Sequence, residues 1–118
     1  MDFAIILTTV SAVEEGQSIA KILVEKQLAA CINIIPKISS VYRWEGQIQS
    51  ESEVLLLIKI NKDLEAEVYR EVQNVHSYDT PELITLPITN GSKTYLDWMT
   101  NAVAVSYTHL TLPTICSV

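Results

Sequence analysis

Glycine occurs only three times, at Gly16, Gly46 and Gly91. That scarcity leaves no GxGxxG and no GxxxxGK[ST], the loops that cradle phosphates. HExxH, CxxC and GxSxG are missing too. No Ser-His-Asp or Cys-His arrangement stands out, so the chain is expected not to be an enzyme. Cations are few: 8 Lys and Arg stand against 14 Asp and Glu, for a net charge of −6. An acidic surface repels phosphates and no basic stripe offsets it, which argues against nucleic acid as a partner. Long apolar runs are lacking as well. The longest, such as Val54-Leu55-Leu56-Leu57-Ile58, fall far short of the roughly 20 residues of a spanning helix. Met1-Asp2-Phe3 has no basic region of the kind that opens a signal peptide, so no membrane and a cytoplasmic location are expected. The two cysteines, Cys31 and Cys116, are far apart and read as free thiols in a reducing compartment.

What is abundant is apolar surface. Of 118 residues 48% are hydrophobic, and mean hydropathy is +0.23. A chain of this length forms one domain with one small core. Apolar surplus beyond that core goes into a partner.

Phe3 to Thr9 is apolar on both alternate sets and predicts a strand buried on both faces. Ser11 and Glu14 form an S-x-x-E capping box, followed by a helix to about Gln27. Its stripe is Ala12, Gly16, Ile19, Ala20, Leu23 and Gln27. Gly16 costs that helix about 1 kcal/mol against Ala, a loss that close packing on the sheet would explain. Cys31 to Ile35 predicts a second strand; Pro36 marks an edge or bulge, with the strand resuming over Val41 to Trp44. Glu45-Gly46 predicts a tight reversal. Val54 to Ile60 is the third strand. Asn61 caps a second helix whose stripe is Leu64, Val68, Val72 and Val75, ending near His76-Ser77. Glu82 to Ile88 is the fourth strand. Asn90-Gly91 turns the chain, and Ser92 caps a short helix carrying Tyr95, Leu96, Trp98 and Met99.

The order βαββαβ plus a short helix predicts an α+β, ferredoxin-like fold: an antiparallel four-stranded sheet with two helices on one face. Two helices cover only one face, yet the first and third strands are apolar on both. A second copy of the same sheet in a closed symmetric oligomer is the economical cover. The domain is set at residues 1–102. The tail, 103–118, is Thr-rich and uncharged; Thr108 to Pro113 has strand-like composition without a place in the domain. The tail is read as an added strand or an end foreign to the fold.

Several blocks are more specific. Ala29-Ala30-Cys31-Ile32-Asn33-Ile34-Ile35-Pro36 is followed by Tyr42-Arg43-Trp44-Glu45-Gly46 and by Glu53-Val54-Leu55-Leu56-Leu57-Ile58-Lys59. Then come His76-Ser77-Tyr78-Asp79-Thr80-Pro81-Glu82 and Tyr95-Leu96-Asp97-Trp98. In this order, from about Phe3 to Met99, they resemble the CutA family of divalent-cation tolerance proteins. The resemblance implies a tight homotrimer with long hairpins reaching across subunit boundaries, a cytosolic setting, and a link to copper and other divalent metals. It also implies kinship of architecture with the PII signalling trimers. Two positions depart from the family pattern. His76-Ser77-Tyr78 stands where His-Pro-Tyr is usual, which relaxes the restriction on His76. Thr8 stands where some members carry a cysteine, and a hydroxyl is a poor ligand for a soft metal.

The candidate metal residues are His76, Asp79 and Glu82. Imidazole suits Cu(II) and Zn(II), and either carboxylate could complete a site. The plainer readings are a helix C-cap histidine, a turn aspartate and a surface glutamate. Glu53 and Lys59 share a strand face; with Tyr42 and Trp44 they are the candidates for an intersubunit cleft. Lys59 there would bind a small anion, or is a solvated strand end. Tyr42 and Trp44 read as subunit packing or as a ligand platform. Cys31 reads as a buried, inert thiol. No cofactor is obligatory; Cu(II) or another divalent cation is the expected ligand, and no protein partner is identified. Three functions follow: a trimer binding divalent cations weakly, a PII-like trimer holding a small anion near Lys59 and Glu82, and a structural interaction module.

Overall fold

The computed structural model describes residues 2–103. Thr108 to Pro113, His109 and Cys116 lie outside the described residues. The elements are β1 (Phe3–Val10), α1 (Val13–Glu25), β2 (Cys31–Trp44), β3 (Gln47–Asn61), α2 (Glu65–Val75), β4 (Ile84–Ile88) and α3 (Lys93–Ala102). A turn of 3-10 helix, Lys62–Leu64, leads into α2. The strands form one sheet in the order β2-β3-β1-β4, antiparallel at every junction.

Strand parity divides the apolar residues between two faces. Ala4, Ile6, Thr8 and Val10 of β1 pair with Ile60, Ile58, Leu56 and Val54 of β3, and all eight are buried. This set faces the helices, and Ile19, Leu23, Val68 and Val72 complete its core. The other set, Ile5 with Lys59, Leu7 with Leu57 and Thr9 with Leu55, faces away. It extends sideways to Ile84 and Leu86 of β4 and to Ile35 of β2. Ile84 and Leu86 are 49% and 44% exposed. Tyr95 of α3 meets this face at its Lys59 end, where the lysine Nζ lies 3.4 Å from the Tyr95 hydroxyl.

Gly16 is where α1 approaches the sheet. A Cβ there would lie 3.0 Å from Leu56 Cδ2 and 3.5 Å from Val10 Cγ2. Alanine would gain about 1 kcal/mol of helix propensity and displace the Leu56 branch; valine adds branches the space does not hold. Gly16→Val is expected to cost about 1–3 kcal/mol of stability. Urea unfolding checks this, and a valine variant as stable as the parent would show that the approach is not tight.

Several local expectations need correction. The Ser11–Glu14 capping box does not form: Ala12 is the N-cap and no side chain caps it. The Ser11 hydroxyl instead meets Glu15 at 3.4 Å. The helix ends at Glu25, and Gln27 takes a positive φ of 58°. Strand β2 is continuous, because the irregularity between Ile35 and Ile38 absorbs Pro36 without ending the strand. As expected, Pro36 sits on an edge strand, where a missing N–H costs no ladder bond. Strand β3 starts at Gln47, seven residues before Val54. Residues 47–53 pair with β2 alone, forming a two-stranded arm beyond the body of the sheet. Its tip is the Glu45-Gly46 turn, both residues at positive φ, as a two-residue hairpin requires. Val75 is exposed, not part of the α2 stripe. Strand β4 begins at Ile84, which leaves 76–83 as a loop.

Candidate functional site

Where the arm leaves the sheet, a groove of about 990 Å³ opens between the arm, the β1–α1 junction and the 76–83 loop. Ser40, Tyr42, Trp44, Gln49, Glu51 and Glu53 line it from the arm, and Thr9 and Ser11 from the junction. Tyr78, Asp79, Thr80 and Glu82 come from the loop. Among the described residues, four of those lining it are carboxylates and none is Lys or Arg. The groove is therefore negative, and two tyrosines organise part of that charge. The Tyr78 hydroxyl donates to Glu53 Oε2 at 2.8 Å, and the Tyr42 hydroxyl donates to Glu51. Burial, then the Glu53 bond, push the Tyr78 phenol above its ordinary range. The Glu51 bond does the same to Tyr42.

His76 lies behind this groove. Strand β4 pairs with β1 only as far as Leu7. Past that point the His76 ring fills the role of the missing strand: Nε2 donates to the Thr9 carbonyl at 2.9 Å. A carbonyl only accepts, so Nε2 carries the hydrogen. Nδ1 accepts from the Tyr78 N–H at 3.0 Å, so it is bare. The side chain is fully buried. Both nitrogens are thus engaged in the neutral Nε2–H tautomer, and coordination through either would break one of these bonds. Glu15 Oε2 lies 3.8 Å from Nδ1.

The structure brings Asp79 and Glu82 to the groove with Glu53, Tyr42 and Trp44. It does not bring His76 there as an open ligand. Among the described residues no three His, Cys, Asp or Glu side chains form a group able to hold a metal ion. Lys59 does share the outer sheet face with Glu53, as parity required. Six residues along a strand are about 20 Å, however, so within one chain Lys59 lies far from Glu82's groove and beside Tyr95. Thr8, the position compared above with a cysteine, points into the helix-side core with its hydroxyl unpartnered; its neighbour Thr9 lines the groove. Cys31 is half-buried and unpaired. Residue chemistry had not singled out Glu51 or Glu15. The Tyr42–Glu51 contact was accessible from hairpin register about the Glu45-Gly46 turn; the Glu15–Ser77 contact, 62 residues apart, was not.

Residues 4–102 match the CutA1 divalent ion tolerance protein family. The chain is 47% identical over 98 residues to the chloroplastic CutA protein of Arabidopsis thaliana, a match covering 83% of this chain. It spans only about half of that relative, 54% of its length. It is 42% identical over 95 residues to the divalent-cation tolerance protein CutA of Thermus thermophilus, covering 80% of this chain and 92% of that one. Among solved structures, CutA1 from Oryza sativa superposes with a TM-score of 0.86 at 39% identity, over 88% of this chain and 95% of that one.

Proposed function

This chain belongs to the CutA1 divalent ion tolerance family, and from that premise we propose that it is a ferredoxin-like homotrimer holding divalent cations loosely, Cu(II) foremost, in its carboxylate groove. The observation that carries this reading is the convergence of Glu51, Glu53, Asp79 and Glu82 on one groove without a cation among its lining. Carboxylate oxygens accept many divalent ions and discriminate poorly among them. With no group of three ligands among the described residues of one chain, the cation keeps much of its water or draws ligands from a second subunit. Low affinity suits buffering or sensing better than a structural metal. The role is binding, not catalysis.

The trimer rests on the outer sheet face. Ile5, Leu7, Leu55, Leu57, Ile84 and Leu86 form an apolar surface, half-buried to exposed, that the described helices leave uncovered, and a second copy covers it most simply. The arm needs the same help. A two-stranded ribbon is marginal alone in water, yet Trp44 and Ile48 at its tip are 61% and 71% exposed. The anion reading has less support, since Lys59 is occupied by Tyr95 away from the groove.

Cu(II) titration by calorimetry tests the site, on a full chain carrying His109→Ala and Cys116→Ser to remove tail ligands. Asp79→Asn with Glu82→Gln is expected to weaken binding at least about tenfold. Equal binding with and without those two carboxylates would place the cation elsewhere; no saturable binding at all would reject the cation reading.

A further inference from the structure

The 76–83 loop brings Asp79 and Glu82 to the groove, yet its own ladder bonds are few. The N–H of His76 closes α2 on the Val72 carbonyl. The next two N–H groups are taken by side chains. Tyr78 N–H goes to His76 Nδ1. Ser77 N–H goes to Glu15 Oε2 at 2.8 Å, and the Ser77 hydroxyl donates to the other oxygen, Oε1, at 2.9 Å. One carboxylate of α1 therefore grips the loop with both oxygens. Bonds to an ionised acceptor are shorter and about twice as strong as neutral ones.

Glu15 is built to stay ionised. It lies in the first turn of α1, where the helix dipole favours negative charge. Its side chain is 17% exposed. Burial alone would raise its carboxyl; the two Ser77 bonds, with Ser11 adding to them, outweigh burial and hold it below the usual range. Glu15 does not itself line the groove. Its reach to Asp79 runs through Ser77, two residues away.

We propose that Glu15 is a positioning residue: its two-pronged hold on Ser77 fixes the loop so that Asp79 and Glu82 face Glu53 across the groove, and thereby sets the groove's affinity for divalent cations. This inference rests on the cation reading above. Nothing in it requires Glu15 to touch the ion.

The test is a Cu(II) titration by calorimetry, on the full chain with His109→Ala and Cys116→Ser, comparing Glu15→Ala, Glu15→Gln and Ser77→Ala with the parent. Circular dichroism of each variant reports whether it is folded. Glu15→Ala is expected to bind about tenfold more weakly, as loss of a supporting contact does. Glu15→Gln keeps one carbonyl acceptor for the Ser77 N–H and is expected to recover part of the loss. Ser77→Ala, which leaves α1 untouched, is expected to lie between them and serves if Glu15→Ala does not fold. A second readout needs no metal. With the loop released from Glu15, the Tyr78 N–H loses its hold on His76 Nδ1 and should exchange with deuterium faster in Glu15→Ala and Ser77→Ala than in the parent. Saturable binding that is unchanged in Glu15→Ala and Ser77→Ala overturns the positioning role and leaves the cation reading intact. Weakened binding with Tyr78 N–H exchange unchanged overturns it as well, because the loop has not moved. No saturable binding in the parent overturns both.

Discussion

Leu57→Asp is expected to convert the proposed trimer into monomers without unfolding the chain. Leu57 lies at the middle of the outer sheet face, paired with Leu7 and Asn33. Within one chain it is only half-buried, so a carboxylate there keeps access to water in a monomer. In the proposed assembly a second sheet covers it. Symmetry then buries one uncompensated charge per subunit, and each costs several kcal/mol even after relaxation. At ~1.4 kcal/mol per tenfold change in an equilibrium constant, association should weaken by at least about a thousandfold. Sedimentation at micromolar concentration reads the outcome directly. The parent should run at three times the 13.2 kDa chain mass, and the variant near the single mass. A parent that is already monomeric would remove the trimer from the account. A variant that stays trimeric would mean that another surface makes the contact.

His76→Ala should destabilise the protein by about 2–4 kcal/mol. Two backbone groups depend on the ring, the Thr9 carbonyl and the Tyr78 N–H, and leaving a buried polar group unpaired costs about 1–3 kcal/mol. Some of that is recovered as water enters near the loop. His76→Gln retains one donor and one acceptor and should lose roughly half as much. Urea unfolding at one fixed protein concentration measures both, since the proposed assembly would make apparent stability concentration-dependent. An alanine variant within ~0.5 kcal/mol of the parent, the range of ordinary surface changes, would show that the ring does not hold the loop. This result bears on metal work too. Loss of Cu(II) binding in His76→Ala follows from a displaced loop as readily as from a lost ligand, so that substitution alone cannot name the ligand.

Much of the fold was legible because it rests on local rules or on parity. The Glu45-Gly46 reversal, the irregularity at Pro36 and the Ser92 cap, whose hydroxyl accepts from the Tyr95 N–H at 3.4 Å, follow from what single residues permit. The open face followed from a count of apolar positions on two strands against two helices. What was not legible depends on partners remote in sequence. Ser11 and Glu14 carry the capping pattern, but the first turn of α1 directs Glu15 to Ser77 instead. The arm was hidden because residues 47–53 are mostly polar and pair on one side only. Residue chemistry allowed a helix C-cap for His76, and it is the C-cap of α2; what it did not reveal is that register places the ring beyond the end of β4, where a carbonyl of β1 needed a donor.

Crystals grown with Cu(II) and measured at the copper absorption edge would test the central claim most directly. An anomalous peak within coordination distance of the Asp79 or Glu82 carboxylate, with the His76 ring still bonded to the Thr9 carbonyl, is the result expected. A peak on a His76 nitrogen with the ring turned out of its pocket, or no peak in the groove at an occupancy where solution binding saturates, would contradict it.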